Sequence, residues 1–485
     1  MTVPKLTDFK DWISPMIVKE LRQGTRTRIF SFAFILLLSA LIIVMLTSLM
    51  STRPNTAGAT GGFWFCVVVA FLMVMPLRGF GAISNEMKMQ TLDMVLLTRL
   101  SASKIIYGKW AALFSQTLLV ASALLPFVVI RYFLGGIDFV NEIIWLVLLV
   151  ISSGTLTALT VGLSAQSSHL LRGAIALLIL IFGFSLAGNF MFMRGGSPLS
   201  DPEFWEGFAV FVTSCVFATY FLLAMGATHF APISENHATR KRLAALLYIA
   251  ALALFYFLDF DEEMLLVVGG MVLSVVVIDA LTERPAPVAS VYIPFVKRGA
   301  FGRLLGKFLY PGWQSGLLFS ALIVAGFTLL LSSEFSYFDD DEWAGFFSVL
   351  GLLIFPAALI QLAFSSHPNP FGLYILIALV SGAACGLVGM IDDNGDTTIL
   401  WFLCLIPMAC LIIAGNNYSY NGDETIMVVS FVVTSLWLLV LIFKAFPLHR
   451  QISQLEKVVK DLIDKEGATI DEVEAPGTST PPPAE

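Results

Sequence analysis

Polar and apolar positions alternate along this chain in long blocks. Apolar runs of about 16–24 residues recur, parted by short polar stretches, at about 29–50, 63–83, 107–130, 143–163, 173–192 and 206–228. A second set follows at about 243–258, 264–280, 315–332, 343–364, 371–390, 399–414 and 426–446. A helix crossing the ~30 Å hydrocarbon core needs about 20 such residues. The backbone must satisfy its own hydrogen bonds there, so each run predicts a helix. Ten-residue segments of period two are absent, which argues against an outer-membrane barrel. The expected fold is an all-α polytopic membrane protein with 12–13 spans. The run at 399–414 is the weakest, short enough to be re-entrant.

Three polar stretches carry a helical pattern of their own. In residues 1–28, Ile13, Ile17 and Leu21 repeat at i, i+4, i+8, with Lys19, Arg22 and Arg26 on the opposite side. That pattern predicts a helix lying in the membrane interface, with Pro15 near its start. Between the second and third runs, Met89, Leu92, Leu96 and Leu100 form one stripe of a helix over about 84–103. Glu86, Gln90 and Asp93 flank that stripe. After the last run, Ile452, Leu455, Val459 and Leu462 predict an amphipathic helix over about 449–466. From Gly467 onward the acidic and Pro-rich composition predicts disorder.

Composition sharpens the membrane reading. The chain is 57% hydrophobic and 13% charged, against about a quarter charged in soluble domains. With a cytoplasmic N-terminus, nearly all Lys and Arg fall in inner segments, leaving only Arg53, Arg131 and Arg194 outside. The acidic segments 259–263, 334–342 and 392–396 then lie outside. Thirteen spans would also leave the tail outside, whereas Lys444, Arg450, Lys457 and Lys460 favour the inside. A re-entrant 399–414 reconciles the two.

Catalytic chemistry is sparse. No Gly-x-x-x-x-Gly-Lys-Ser/Thr, His-Glu-x-x-His or Gly-x-Ser-x-Gly motif occurs, so no nucleotide-cradling loop is expected on this chain, and no metal or cofactor. The five cysteines fall in apolar runs and read as packing residues. Mid-span charge is nearly absent, against a proton-driven carrier. Asp279 and Arg78 lie near span ends, within reach of the interface. Gln116, Asn189 and Gln361 suit hydrogen bonds between helices. Asp339–Glu342 and Asp392–Asp396 offer hard oxygen ligands. They motivate an alternative: a membrane glycosyltransferase acting on lipid-linked donors.

The stretch Glu86, Thr91-Leu92-Asp93, Leu96-Leu97-Thr98, Ser101, Ile105, Gly108-Lys109 resembles the first cytoplasmic loop of ABC-2 type transporter permeases. The run Pro15…Lys19-Glu20-Leu21-Arg22…Arg26 resembles the elbow helix that opens that family. The resemblance implies an elbow helix in 1–28 and a six-span domain over 29–242. A second bundle over 243–446 and a tail over 447–485 would follow. It implies a coupling helix whose Glu86, Met89, Thr91, Leu92, Asp93, Leu96, Leu97 and Arg99 dock on a cytoplasmic ABC ATPase. The chain would then be a non-enzymatic export subunit of the bacterial inner membrane. ATP and Mg would sit on the ATPase, a second copy or second permease would complete the assembly, and no nucleic acid would be involved. The second bundle departs from the family's six spans. The basic lead-in at 281–314 echoes the one before the first span, but the 365–370 loop is too short for a second coupling helix.

Overall fold

The structure, a computed structural model, describes residues 15–50, 56–84, 101–134, 138–165, 169–192, 202–232, 235–285, 288–365, 367–391, 398–417 and 424–474. Among them there is no strand. The protein is an all-α polytopic membrane protein, and contacts divide it into two compact units. The first comprises 1–231 with 250–272, the second 232–249 with 273–485.

In the first unit, α1 (Pro15–Thr25) leads into the span α2 (Arg28–Met50). The next span starts as α3 (Thr56–Val68), loosens into a π-helical turn at Val69–Val74, then passes through α4 (Met75–Leu77) and a 3₁₀ turn at Arg78–Gly81. Four long helices follow: α5 (Ala102–Leu134), α6 (Phe139–Ser164), α7 (His169–Phe192) and α8 (Pro202–Thr228). Phe30, Leu41, Phe63, Val67, Phe71, Val120, Leu124 and Leu149 meet in its core.

The hairpin of α9 (His237–Phe257) and α10 (Glu262–Thr282) contributes residues to both units. The second unit continues with α11 (Ala289–Val296), α12 (Gly299–Leu309), α13 (Trp313–Leu330) and the short α14 (Ser332–Phe335). Then come α15 (Asp340–Ala363), α16 (Pro370–Ile391), α17 (Thr398–Phe402), α18 (Pro407–Asn417) and α19 (Glu424–Glu474).

Ten helices among the described residues are long and apolar enough to cross a membrane. Two more fall where the sequence expects spans but short of that measure. α7 has an apolar stretch of only 17 residues, and α9 opens with Arg240, Lys241 and Arg242. Of the two readings left open for 399–414, a crossing and a re-entrant segment, the helices there fit the second. The chain breaks there into α17 and α18, joined by turn bonds from Leu403 N to Leu400 O and from Ile406 N to Leu403 O. At 1.5 Å per residue, the 11-residue α18 covers about 16 Å, half the hydrocarbon core. Its Ala409, Cys410 and Ile413 pack with Ala344 at the start of α15, Cys385 late in α16 and Ile426 at the start of α19. The segment therefore enters and leaves at one end of the bundle.

α15 and α19 run parallel, with Ser348 bonded to Ser430 and Phe355 edge-on to Trp437 at 5.0 Å. Beyond its crossing α19 continues unbroken. There Ile452 and Val459 join Val291, Tyr292, Phe295 and Tyr310 in a separate small core. The tail helix thus stands on the same side of the bundle as the 283–312 segment. Four crossings between the two segments, by α13, α15, α16 and α19, account for that placement, and a fifth at 399–414 would not.

Candidate functional site

The eight residues of the expected docking surface, Glu86, Met89, Thr91, Leu92, Asp93, Leu96, Leu97 and Arg99, lie outside the described residues, as does Ile13. The frame holding both ends of that loop is described.

On the entry side the second span gives up regular α-helical bonding over its last turns. The π-helical turn shifts the bonding to i→i−5 and Pro76 offers no N–H, a break in regular bonding that recurs at functional sites. Thr160 Oγ1 of α6 donates to Pro76 O at 2.6 Å. Gly79 lets this contact form, since a Cβ there would lie 2.2 Å from Thr160 Oγ1. Ile83 N donates to Ser164 Oγ at 3.3 Å, and Ser84 Oγ donates to Phe80 O. The entry is thereby fastened to the end of α6.

On the exit side, Ile105 and Ile106 are fully buried at the start of α5. Ile106 reaches the crossing of α6 and α8, where Gly162 and Gly226 bring the two backbones together. Further along α5, Trp110 Nε1 donates to Gly154 O of α6 at 2.9 Å. The exit is fastened to α6 as well.

α1 packs against the exit end of this frame. Lys109 of α5, almost fully buried, pairs with Glu20 of α1 at 3.3 Å. Arg78 donates to Gln116 of α5 and lies over Phe30 with its guanidinium 4.9 Å from the ring centre. Gly24 sits against Gln116, so that a side chain there would push the Gln116 amide aside. On α1, Ile17 and Leu21 are half-buried while Lys19, Arg22 and Arg26 are exposed, as the amphipathic pattern requires. Glu20 lay outside that pattern and carried no sign of its partner 89 residues away.

Two further polar constellations correct expectations drawn from composition. Arg131 is not in an outer loop. α5 extends past it, and its guanidinium is buried against Glu142 of α6 at 2.6 Å and over Phe63 at 4.2 Å. Nor does Asp279 reach out to the interface. It takes a 2.6 Å bond from buried Lys241, which also lies 3.2 Å from Glu283. Arg242 pairs with Glu283 at 2.7 Å and donates to the carbonyls of Phe308 and Gly312. Two cations and two carboxylates cancel, so the group is a neutral clasp at the root of the α9–α10 hairpin. Burial pushes the Glu283 carboxyl up, but Lys241 and Arg242 outweigh it and hold it below the usual carboxylate range. Opposite charges at the two ends of consecutive apolar runs were the available signal for this pairing.

Nearby, Tyr310 Oη donates to Glu456 of the tail helix at 2.9 Å. Burial and that carboxylate raise the Tyr310 hydroxyl well above its ordinary value. The acidic cluster at the start of α15 acts as a helix cap: Asp339 is the N-cap, and Glu342 accepts from Asp339 N at 3.0 Å. No group of three or more potential metal ligands exists among the described residues. Comparison with family models, with curated proteins and with solved structures finds no match.

Proposed function

We propose that this protein is the permease subunit of an ABC-2 type exporter, with residues 85–100 receiving force from a separate cytoplasmic ATPase. The observation that supports this reading is the frame around that loop. Entry is fixed through Ile83–Ser164 and Thr160–Pro76, exit through Trp110–Gly154, and the elbow helix through Lys109–Glu20. A loop that served only to connect two spans would need none of these ties. A push on 85–100 would pass into α6 from both ends, and the π-helical turn at Val69–Val74 is where the second span can yield. ATP and Mg belong to the partner subunit, and this chain contributes the path through the membrane.

The test is co-purification of an ATPase with the double variant Leu92→Ala, Leu96→Ala, normalised to the permease recovered. Each truncation removes an apolar anchor worth about 1–3 kcal/mol in a desolvated contact. ATPase recovery should fall sharply while the permease level holds. Unchanged recovery with a normally folded variant would remove the docking role.

A further inference from the structure

α12 is built the wrong way round for a helix of a soluble surface. It buries Gly302, Gly306 and Leu309 and exposes Phe301, Leu304 and Leu305, which are 69%, 56% and 39% accessible. The glycines allow a close seat. A Cβ on Gly302 would lie 2.2 Å from the Phe295 carbonyl oxygen, and one on Gly306 would overlap the Tyr310 ring. The large apolar side chains are thus turned outward by the fit of the small ones. Phe301, Leu304, Leu305 and Phe308 fall on one stripe at i, i+3, i+4, i+7.

Charge completes the pattern. Lys297, Arg298, Arg303 and Lys307 surround the stripe, and none of the four makes an ion pair among the described residues. From Arg284 to Ser333 the sequence contains no Asp or Glu at all. α12 ends four residues before the span α13 begins at Trp313, so the chain itself holds it at the edge of the bilayer. An in-plane helix with an apolar face and unpaired cations binds where acyl chains and anionic headgroups meet.

We propose that α12 is an anchor for the anionic lipid surface on its side of the membrane. Phe301, Leu304 and Leu305 enter the acyl boundary, while Lys297, Arg298, Arg303 and Lys307 gather acidic headgroups. The tail helix packs on the same small core as Leu309 and Tyr310, so lipid charge at α12 bears directly on the seat of the tail.

Two measurements on the full chain test this. A spin label at Leu305→Cys, on a background with the native cysteines replaced, is placed in nanodiscs of phosphatidylcholine with phosphatidylglycerol. It should be reached by oxygen in preference to a polar relaxation agent, unlike a label at exposed Lys460. Lipid binding by native mass spectrometry should favour phosphatidylglycerol over phosphatidylcholine. The variant K297Q/R298Q/R303Q/K307Q should lose that preference by at least about tenfold at an unchanged melting midpoint. A label at 305 as open to the polar agent as the one at 460 overturns the proposal and leaves the face to a protein partner. An unchanged lipid preference in the folded fourfold variant overturns it equally. Should that variant fail to fold, the label measurement decides.

Discussion

Single atoms set the spacing of the first unit. A methyl group on Gly162 would lie 2.5 Å from the carbonyl oxygen of Leu222, backbone that cannot swing aside. Gly162→Ala should therefore lower stability by about 1–3 kcal/mol, read as a lower thermal midpoint in detergent. Gly173→Ala, where nothing lies within 4 Å, should stay within about 0.5 kcal/mol of the parent. In the clasp, Glu283 accepts from Arg242 and from Gly312 N, and Gly312 has a φ of 123° that only glycine takes readily. Because the folded-state pKa of Glu283 is depressed, its stabilisation is full above the ordinary carboxylate range. It is lost as pH falls through the lower folded-state value. Glu283→Gln should cost about 3 kcal/mol at neutral pH by leaving cations under-compensated. The gap between the two proteins' melting midpoints should close as pH falls below the ordinary carboxylate range. A constant gap down to strongly acidic pH would assign the loss to shape and not to charge.

At the scale of elements, hydropathy was enough to place most of the spans, because a bilayer leaves the backbone one local solution. For 399–414 it left a crossing and a re-entrant segment both open. Composition there is as apolar as in a true crossing, since Cys404, Ala409, Cys410 and Ile413 are buried in protein. Burial in protein and burial in lipid select the same residue types. What distinguishes them is the turn at Leu403–Ile406, signalled locally by the shortness of the run and by Pro407. The amphipathic stripes of α1 and of the tail were legible for the opposite reason: each must answer two environments at once. The Lys109–Glu20 pairing was hidden because it joins residues 89 positions apart. One labelling experiment distinguishes twelve crossings from thirteen. Cysteines replacing Lys307 and Lys460, both exposed, should react with an impermeant thiol reagent only from the same side of the membrane. A crossing at 399–414 would place them on opposite sides.

Across the whole molecule, the α9–α10 hairpin belongs partly to each compact unit, and its clasp has a consequence for how the chain is made. The uncharged stretch of α9, residues 243–257, covers only about 22 Å, short of the ~30 Å it must cross. The crossing has to take in Lys241 and Arg242, whose compensating carboxylates lie at the far end of α10. On emerging from the ribosome, α9 alone is a poor substrate for the insertion machinery, because charged residues oppose partition into lipid. It becomes a good one once Asp279 and Glu283 have been synthesised. A glycosylation acceptor at the 258–261 turn should therefore be modified efficiently in nascent chains that extend past Glu283, and poorly in chains stopped before α10. The two helices enter the bilayer as a pair. A gene divided between them should yield fragments that fail to integrate, whereas a division before His237 leaves each product able to complete its own charges.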